Sequence, residues 1–172
     1  LWQLTNRTGN VLRQLGVETG NRVLLVLENS PEWIAAWFAT MKVGGVGTHA
    51  YTYLTVKDYA GLLELVRPKV VVADAVTLAK LREACAGSRH RHALLVSGVP
   101  ASLLARGEID LGEMLEAASE RLDVEPTHCD DIAFWNFSGG TTGIPKGVPH
   151  MHRDGLVCFE AFDRILRYGP DD

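Results

Sequence analysis

A short segment rich in glycine, threonine and lysine is the part of the sequence best suited to chemistry. It follows the apolar run 132–137 and comprises Ser138, Gly139, Gly140, Thr141, Thr142, Gly143, Ile144, Pro145, Lys146 and Gly147. Glycine permits unusual φ angles and close approach of the backbone. Successive backbone N–H groups then form a nest for an anion, and the lysine adds a positive point charge. This composition predicts a phosphate-binding loop, but a flexible β-hairpin loop has the same composition.

Spacing argues against two other kinds of nucleotide-binding loop. A Walker A loop requires a lysine that enters a helix, whereas Lys146 stands between Pro145 and Gly147. The segment 45–50 nominally fits the dinucleotide pattern GxGxxA, but it follows a predicted helix and does not open one. A Rossmann-type oxidoreductase is therefore disfavoured. The sequence also lacks the G-x-S-x-G turn of many hydrolases.

Alternating strand and helix patterns precede this loop. Apolar residues spaced three and four apart predict a first helix that Gly16 ends, and Ser30 with Pro31 predicts the start of a second. The predicted strands are 22–27, 46–50, 69–73, 93–96 and 132–137, and the further predicted helices are 55–66, 76–85 (with Asp74 as its cap) and 111–119. This alternation predicts an α/β fold, a parallel sheet flanked by helices.

The chain of 172 residues divides into three predicted segments. Residues 1–98 form an α/β sheet subdomain, and residues 132–172 form the hairpin with the phosphate-binding loop and a following helix. Between them, residues 99–131 are predicted to be a solvated acidic connection, because this stretch holds nine acidic and two basic side chains. The chain begins with Leu1 inside a helical pattern and ends on the turn-like 169–172, so we expect it to be a piece of a longer protein.

Charge and composition exclude several classes of protein. Seventeen basic and 21 acidic side chains give a net charge of -4, which disfavours a nucleic-acid-binding domain. The mostly apolar run 33–41 is too short to span a membrane. Three cysteines without a CxxC spacing predict no disulfide, no reactive thiol and a cytoplasmic location.

Two histidines and two tryptophans are further candidates for functional roles. His150 and His152 would share one face of a strand, but no third ligand stands at a convincing spacing, so no metal site is predicted. We expect His150 to brace the strand that leaves the loop. Trp33 and Trp37 lie on one helix face and are expected in the core or at a subunit contact, and a homodimer is left open.

The loop resembles the signature loop of the adenylate-forming superfamily, which includes acyl- and aryl-CoA synthetases, peptide-synthetase adenylation domains and luciferases. The match covers Ser138–Gly147, with Gly139 where the family usually has serine. Segments 20–25, 29–33, 42–46 and 65–73 resemble early strands and helices of the family. The strings 130–135 and 150–154 are most similar to the benzoate- and aminobenzoate-CoA ligases, and the likeness spans nearly the whole chain.

This resemblance implies that the chain is part of the large N-terminal domain of an enzyme that forms an acyl-adenylate from ATP and a carboxylic acid. In the branch of the benzoate- and aminobenzoate-CoA ligases this acid is aromatic. A thiol such as CoA then displaces AMP. By resemblance, Lys146 is the catalytic residue, and the phosphates of ATP are held by Ser138, Gly139, Gly140, Thr141, Thr142, Gly143 and Lys146. The Mg²⁺ ligand and the acid-binding pocket are expected beyond Asp172, so residues 1–172 alone are expected to be inactive.

Two alternatives stay open from the sequence. A carrier-protein-loading adenylation domain or an acyl-AMP ligase would share the loop and differ in the acceptor. A non-catalytic nucleotide-binding or interaction module would bind ATP without turning it over.

Overall fold

A single mixed sheet of seven strands forms the centre of the part of the chain that the structure describes. The computed structural model describes residues 1–138, 146–167 and 169. The strands are β1 (Arg22–Val26), β2 (Val46–His49), β3 (Val70–Ala73), β4 (Ala93–Val96), β5 (Glu108–Asp110), β6 (Ile132–Ser138) and β7 (Lys146–Met151). Their order is β5-β4-β3-β1-β2-β6-β7, and every neighbouring pair is parallel except the antiparallel pair β6 and β7.

Helices cover both faces of the sheet, which confirms the predicted α/β architecture. They are α1 (Trp2–Gln14), α2 (Pro31–Lys42), α3 (Val56–Val66), α4 (Leu78–Ala86), α5 (Leu111–Ala117) and α6 (His152–Leu166). Alternate residues of β1 face opposite sides, as the pleat requires. Leu25 packs with α1 and α2 in one buried cluster, and Leu24 packs with α3 and α4 in the other.

Local hydrogen bonds fix where the helices begin. The Ser30 hydroxyl accepts a hydrogen bond from the Trp33 amide at 3.1 Å, so the predicted N-cap of α2 is confirmed. Thr55 and Asp58 form a reciprocal capping box at the start of α3. Asp74 accepts from the amides of residues 76 and 77 and shapes the turn before α4, which begins two residues later than predicted.

The acidic stretch carries more structure than the sequence predicted. It holds the predicted helix as α5 and, in addition, the edge strand β5, which pairs in parallel with β4. Leu111 of α5 is buried against α1. Side chains of α1 also hold this stretch, since Arg7 donates to the Leu115 carbonyl at 2.7 Å and Asn10 donates to the Ser119 carbonyl at 2.8 Å. These contacts anchor the stretch to α1, and most of its residues stay exposed.

Candidate nucleotide-binding hairpin

The hairpin of β6 and β7 presents the two ends of the predicted loop side by side. Ser138 is the last residue of β6, Lys146 is the first of β7, and the two are paired in the antiparallel register. Both side chains are exposed. The predicted phosphate-binding residues Gly139, Gly140, Thr141, Thr142 and Gly143 lie outside the described residues. The structure therefore places the serine and the lysine of the predicted site at the mouth of one hairpin.

The sheet determines where this mouth lies. Strand β6 is parallel to β2, with Gly47 opposite Phe134 and Thr48 opposite Trp135. The carboxyl end of β6 therefore lies at the same edge as the carboxyl ends of β1 to β4. Open α/β sheets bind their ligands outside the carboxyl ends of their strands. The hairpin mouth stands at the edge of the sheet where that rule expects a ligand.

Aromatic rings join α2 to the hairpin. Trp33 and Trp37 stack at 5.4 Å between ring centroids, and Trp37 contacts Phe134 of β6 at 5.1 Å. Phe134 in turn stacks on His150 of β7 at 4.6 Å. These contacts confirm that the two tryptophans pack against the core and that His150 braces the strand leaving the loop. The base of the hairpin therefore rests on packed rings.

His49 is a half-buried histidine that the sequence analysis did not single out. It ends β2, and its ring lies edge-on to Trp37 at 5.7 Å and to Tyr51 at 6.4 Å. Its Nδ1 atom is buried without a hydrogen-bond partner. Burial lowers the pKa of His49, so the imidazole is neutral at pH 7. A single histidine at the end of a strand pattern is not distinctive, so the sequence offers no signal for it.

A fixed turn follows His49 at the same edge of the sheet. Tyr51 and Tyr53 stack at 5.1 Å and stay exposed. The buried Tyr59 hydroxyl donates to the Tyr51 carbonyl at 2.8 Å, and the Lys80 ammonium donates to the carbonyls of Thr52 and Leu54 at 3.3 and 3.0 Å. Burial raises the pKa of Tyr59 to about 12. Two side chains from α3 and α4 thus hold the turn beside the strand that neighbours β6.

The remaining candidates are placed as follows. His150 lies on β7 and His152 begins α6, so the two do not share one strand face. The segment 45–50 leads from α2 into β2 and is not a strand-to-helix turn, which agrees with its rejection as a dinucleotide motif. All three cysteines are free, and burial raises the pKa of Cys85 to about 11. None of the described helices is long and apolar enough to cross a bilayer.

The fold is a mostly parallel α/β sheet flanked by helices, with the hairpin that carries Ser138 and Lys146 at the carboxyl edge of its parallel strands. The family described as "AMP-binding enzyme" matches residues 1–172, and the chain belongs to this family. The predicted superfamily is thereby confirmed.

The relatives found include aryl-CoA ligases. The chain is 36% identical over 167 residues to a 4-hydroxybenzoate/benzoate–CoA ligase of Rhodopseudomonas palustris, covering 96% of this chain and 30% of that protein. It is 31% identical over 162 residues to a benzoate–CoA ligase of Thauera aromatica, covering 94% and 30%. The chain thus spans about 30% of the length of the curated relatives it matches.

Solved structures show the same fold. The anthranilate CoA ligase AuaEII in complex with anthranoyl-AMP matches with a TM-score of 0.87 and 27% identity, covering 92% of this chain and 30% of that one. ATP-bound MatB from Rhodopseudomonas palustris matches with a TM-score of 0.82 and 26% identity, covering 99% and 32%. The predicted likeness to benzoate- and aminobenzoate-CoA ligases is confirmed by these relatives.

Proposed function

We propose that this chain is part of an ATP-dependent carboxylate–CoA ligase that forms an acyl- or aryl-adenylate and then a CoA thioester. The observation that carries the proposal is the pairing of Ser138 with Lys146 at the mouth of the β6–β7 hairpin. A hydroxyl and an ammonium group there flank the loop whose composition suits phosphate. Membership of the AMP-binding enzyme family and the aryl-CoA ligases among its relatives support the same reaction.

The proposed reaction has two steps. A carboxylate oxygen attacks the α-phosphorus of ATP, the new bond is a carboxyl–phosphate anhydride, and the bond to pyrophosphate breaks. The thiolate sulfur of CoA then attacks the acyl carbon, a thioester forms, and AMP leaves with the bonding electron pair. Negative charge moves onto pyrophosphate in the first step, so preorganised donors that stabilise it supply much of the rate.

Lys146 and the loop have distinct roles in this proposal. Lys146 neutralises charge on the β- and γ-phosphates, and the Ser138 hydroxyl donates a hydrogen bond. Gly139, Gly140 and Gly143 allow the backbone N–H groups to approach the phosphates, and Thr141 and Thr142 donate through their hydroxyls. Glycine at position 139 removes one hydroxyl that the family usually has and leaves the backbone donor in place.

The relatives favour an aromatic acid as the substrate and CoA as the acceptor. Benzoate, hydroxybenzoate and anthranilate appear in the names of the similar proteins. We propose Mg²⁺ as the companion of ATP, with ligands outside residues 1–172, and a cytoplasmic enzyme. Homodimerisation stays a prediction, which sedimentation analysis of the complete protein measures.

Oxygen-isotope transfer tests the proposed reaction. The complete protein that contains this chain is incubated with ATP, CoA and benzoate labelled with ¹⁸O in its carboxylate. Adenylation predicts that one labelled oxygen appears in AMP, because the carboxylate–phosphate bridge oxygen stays with AMP when the thioester forms. Unlabelled AMP, or ADP as the product, would contradict the proposal. ATP binding without any turnover over a panel of acids would favour the non-catalytic module.

A thioester formed on a carrier domain and not on CoA would identify a carrier-protein-loading adenylation domain. The labelled AMP then still forms, but its formation requires a phosphopantetheinylated carrier and is independent of CoA. Residues 1–172 alone are expected to form no acyl-hydroxamate from benzoate, ATP and hydroxylamine.

A further inference from the structure

Three different metal-ligand types lie together in the turn before β6. His128, Cys129 and Asp130 are consecutive and exposed, and one ligand atom from each lies within 4.8 Å of the other two. The atoms are the histidine Nδ1, the cysteine Sγ and a carboxylate oxygen. This group of residues, called here the HCD turn, stands at the amino end of β6, and Ser138 stands at the other end of the same strand.

The spacing of the donors suits a tetrahedral ion. The His128 Nδ1 atom is 3.8 Å from the Cys129 Sγ atom and 3.7 Å from the Asp130 Oδ2 atom. Zinc bond lengths to sulfur, nitrogen and oxygen put tetrahedral edges at roughly 3.6 Å for N···S and 3.4 Å for N···O. Two edges of the required tetrahedron are therefore already in place to within a few tenths of an ångström. Rotation of exposed side chains closes the third edge.

Hydrogen bonds hold the backbone of the HCD turn. The Asp131 carboxylate accepts from the His128 amide at 2.7 Å, and the Asp131 amide donates to the His128 carbonyl at 3.0 Å. The amide of Arg153, at the start of α6, donates to the Cys129 carbonyl at 3.0 Å. The turn is thus fixed both internally and against α6, which lowers the conformational entropy lost when its side chains bind an ion.

Two of the three donor atoms are oriented by neighbouring groups. The Asp130 amide donates to the His128 Nδ1 atom at 3.2 Å, so this nitrogen is an acceptor in the turn. The Arg153 guanidinium pairs with Oδ1 of Asp130 and leaves Oδ2 facing the histidine. An arginine that orients a ligating carboxylate is a common second layer of a metal site.

We propose that the HCD turn binds one Zn²⁺ ion through His128 Nδ1, Cys129 Sγ and Asp130 Oδ2, with water in the remaining position. Borderline-soft Zn²⁺ accepts this mixture of nitrogen, sulfur and oxygen ligands. Binding releases the thiol proton of Cys129 to solvent, and the thiolate and carboxylate together balance the charge of the ion. The His128 Nδ1 atom exchanges its backbone hydrogen bond for the metal bond.

Cobalt substitution tests this site directly. The complete protein that contains this chain is titrated with Co²⁺ in the presence of a reductant that is not a thiol. The thiolate-to-cobalt charge-transfer band and the visible bands of tetrahedral Co²⁺ are recorded. We expect both sets of bands to saturate at one equivalent and to be displaced by Zn²⁺. Cys129→Ser removes the charge-transfer band, whereas the matched control Cys158→Ser, which changes an exposed cysteine on α6, keeps it. His128→Gln and Asp130→Asn each weaken binding by at least about tenfold.

Each outcome decides the proposal. Absence of the bands in the wild-type chain, their persistence in Cys129→Ser or their loss in Cys158→Ser would overturn it. Unchanged affinity in both His128→Gln and Asp130→Asn would reduce the site to an isolated thiol and would also overturn it. Circular dichroism of every variant confirms that the fold is retained, because these exposed side chains contribute little to the core.

Discussion

The hydroxyl of Tyr59 provides a sharp test of how the fold holds the edge of the sheet near the hairpin. Tyr59 is fully buried in α3, and its hydroxyl donates to the Tyr51 carbonyl at 2.8 Å. Tyr59→Phe keeps the ring and removes this single hydrogen bond. A neutral hydrogen bond contributes about 1 kcal/mol net, so the free energy of unfolding at pH 7 should fall by about that amount.

The same hydroxyl should make the stability difference between the wild type and Tyr59→Phe depend on pH. Burial raises the pKa of Tyr59 from 10.0 to about 12, so the folded protein keeps the tyrosine neutral where the unfolded chain ionises it. The stabilisation is complete below pH 10 and is lost as the pH rises toward 12. Between pH 7 and pH 11 the free energy of unfolding of the wild type should fall by about 1.4 kcal/mol more than that of Tyr59→Phe. The advantage of the wild type at pH 7 should therefore disappear by pH 11.

Urea denaturation at the two pH values measures both effects. Tyr53→Phe is the matched control, because Tyr53 is exposed and its hydroxyl makes no hydrogen bond to the described residues. It should leave the urea midpoint unchanged at both pH values. A stability difference between wild type and Tyr59→Phe that is the same at pH 7 and pH 11 would refute the reasoning, as would an equal effect of Tyr53→Phe.

Two further predictions concern charge and thiol reactivity. Hydrogen bonds from Arg82 hold the pKa of Glu108 below its usual 4.5, so this pair stabilises the protein above that pH and the stabilisation is lost on further acidification. The Glu108→Gln variant should therefore lose less stability than the wild type between pH 5 and pH 3 in urea titrations. An identical loss in the two proteins would contradict this prediction. Burial raises the pKa of Cys85 to about 11, whereas Cys129 and Cys158 are exposed. Iodoacetamide at pH 8 should therefore label Cys129 and Cys158 before Cys85, as followed by mass spectrometry. Labelling of Cys85 at the same rate as the two exposed cysteines would contradict this prediction.

Elements with strong local signals were predictable from the sequence. Ser30 followed by Pro31 identified the start of α2, because a cap and a preset φ angle act within a few residues. Strand β5 was not predicted, because Glu108–Asp110 holds one apolar residue and is too short to show an alternation of apolar and polar residues. Its position is determined by parallel pairing with β4 and by the Arg82–Glu108 ion pair, which are contacts distant in the sequence.

The candidate site was predictable to the same extent. The loop between Ser138 at the end of β6 and Lys146 at the start of β7 was predicted because glycine and threonine cluster in its sequence. His49, Tyr59 and Lys80 were missed, because their importance arises from a turn that three separate elements bring to one edge of the sheet. Single residues in ordinary helix and strand patterns give no such signal.

Pyrophosphate exchange by a Lys146 variant tests the central proposal most directly. In the complete protein, ATP–pyrophosphate exchange is measured with benzoate for wild type, Lys146→Ala and the control Lys57→Ala, which removes an exposed lysine of α3. Loss of one preorganised group that stabilises developing charge costs on the order of 10²-fold or more in rate. The account predicts such a loss for Lys146→Ala and a normal rate for Lys57→Ala. An unchanged exchange rate in Lys146→Ala would contradict it.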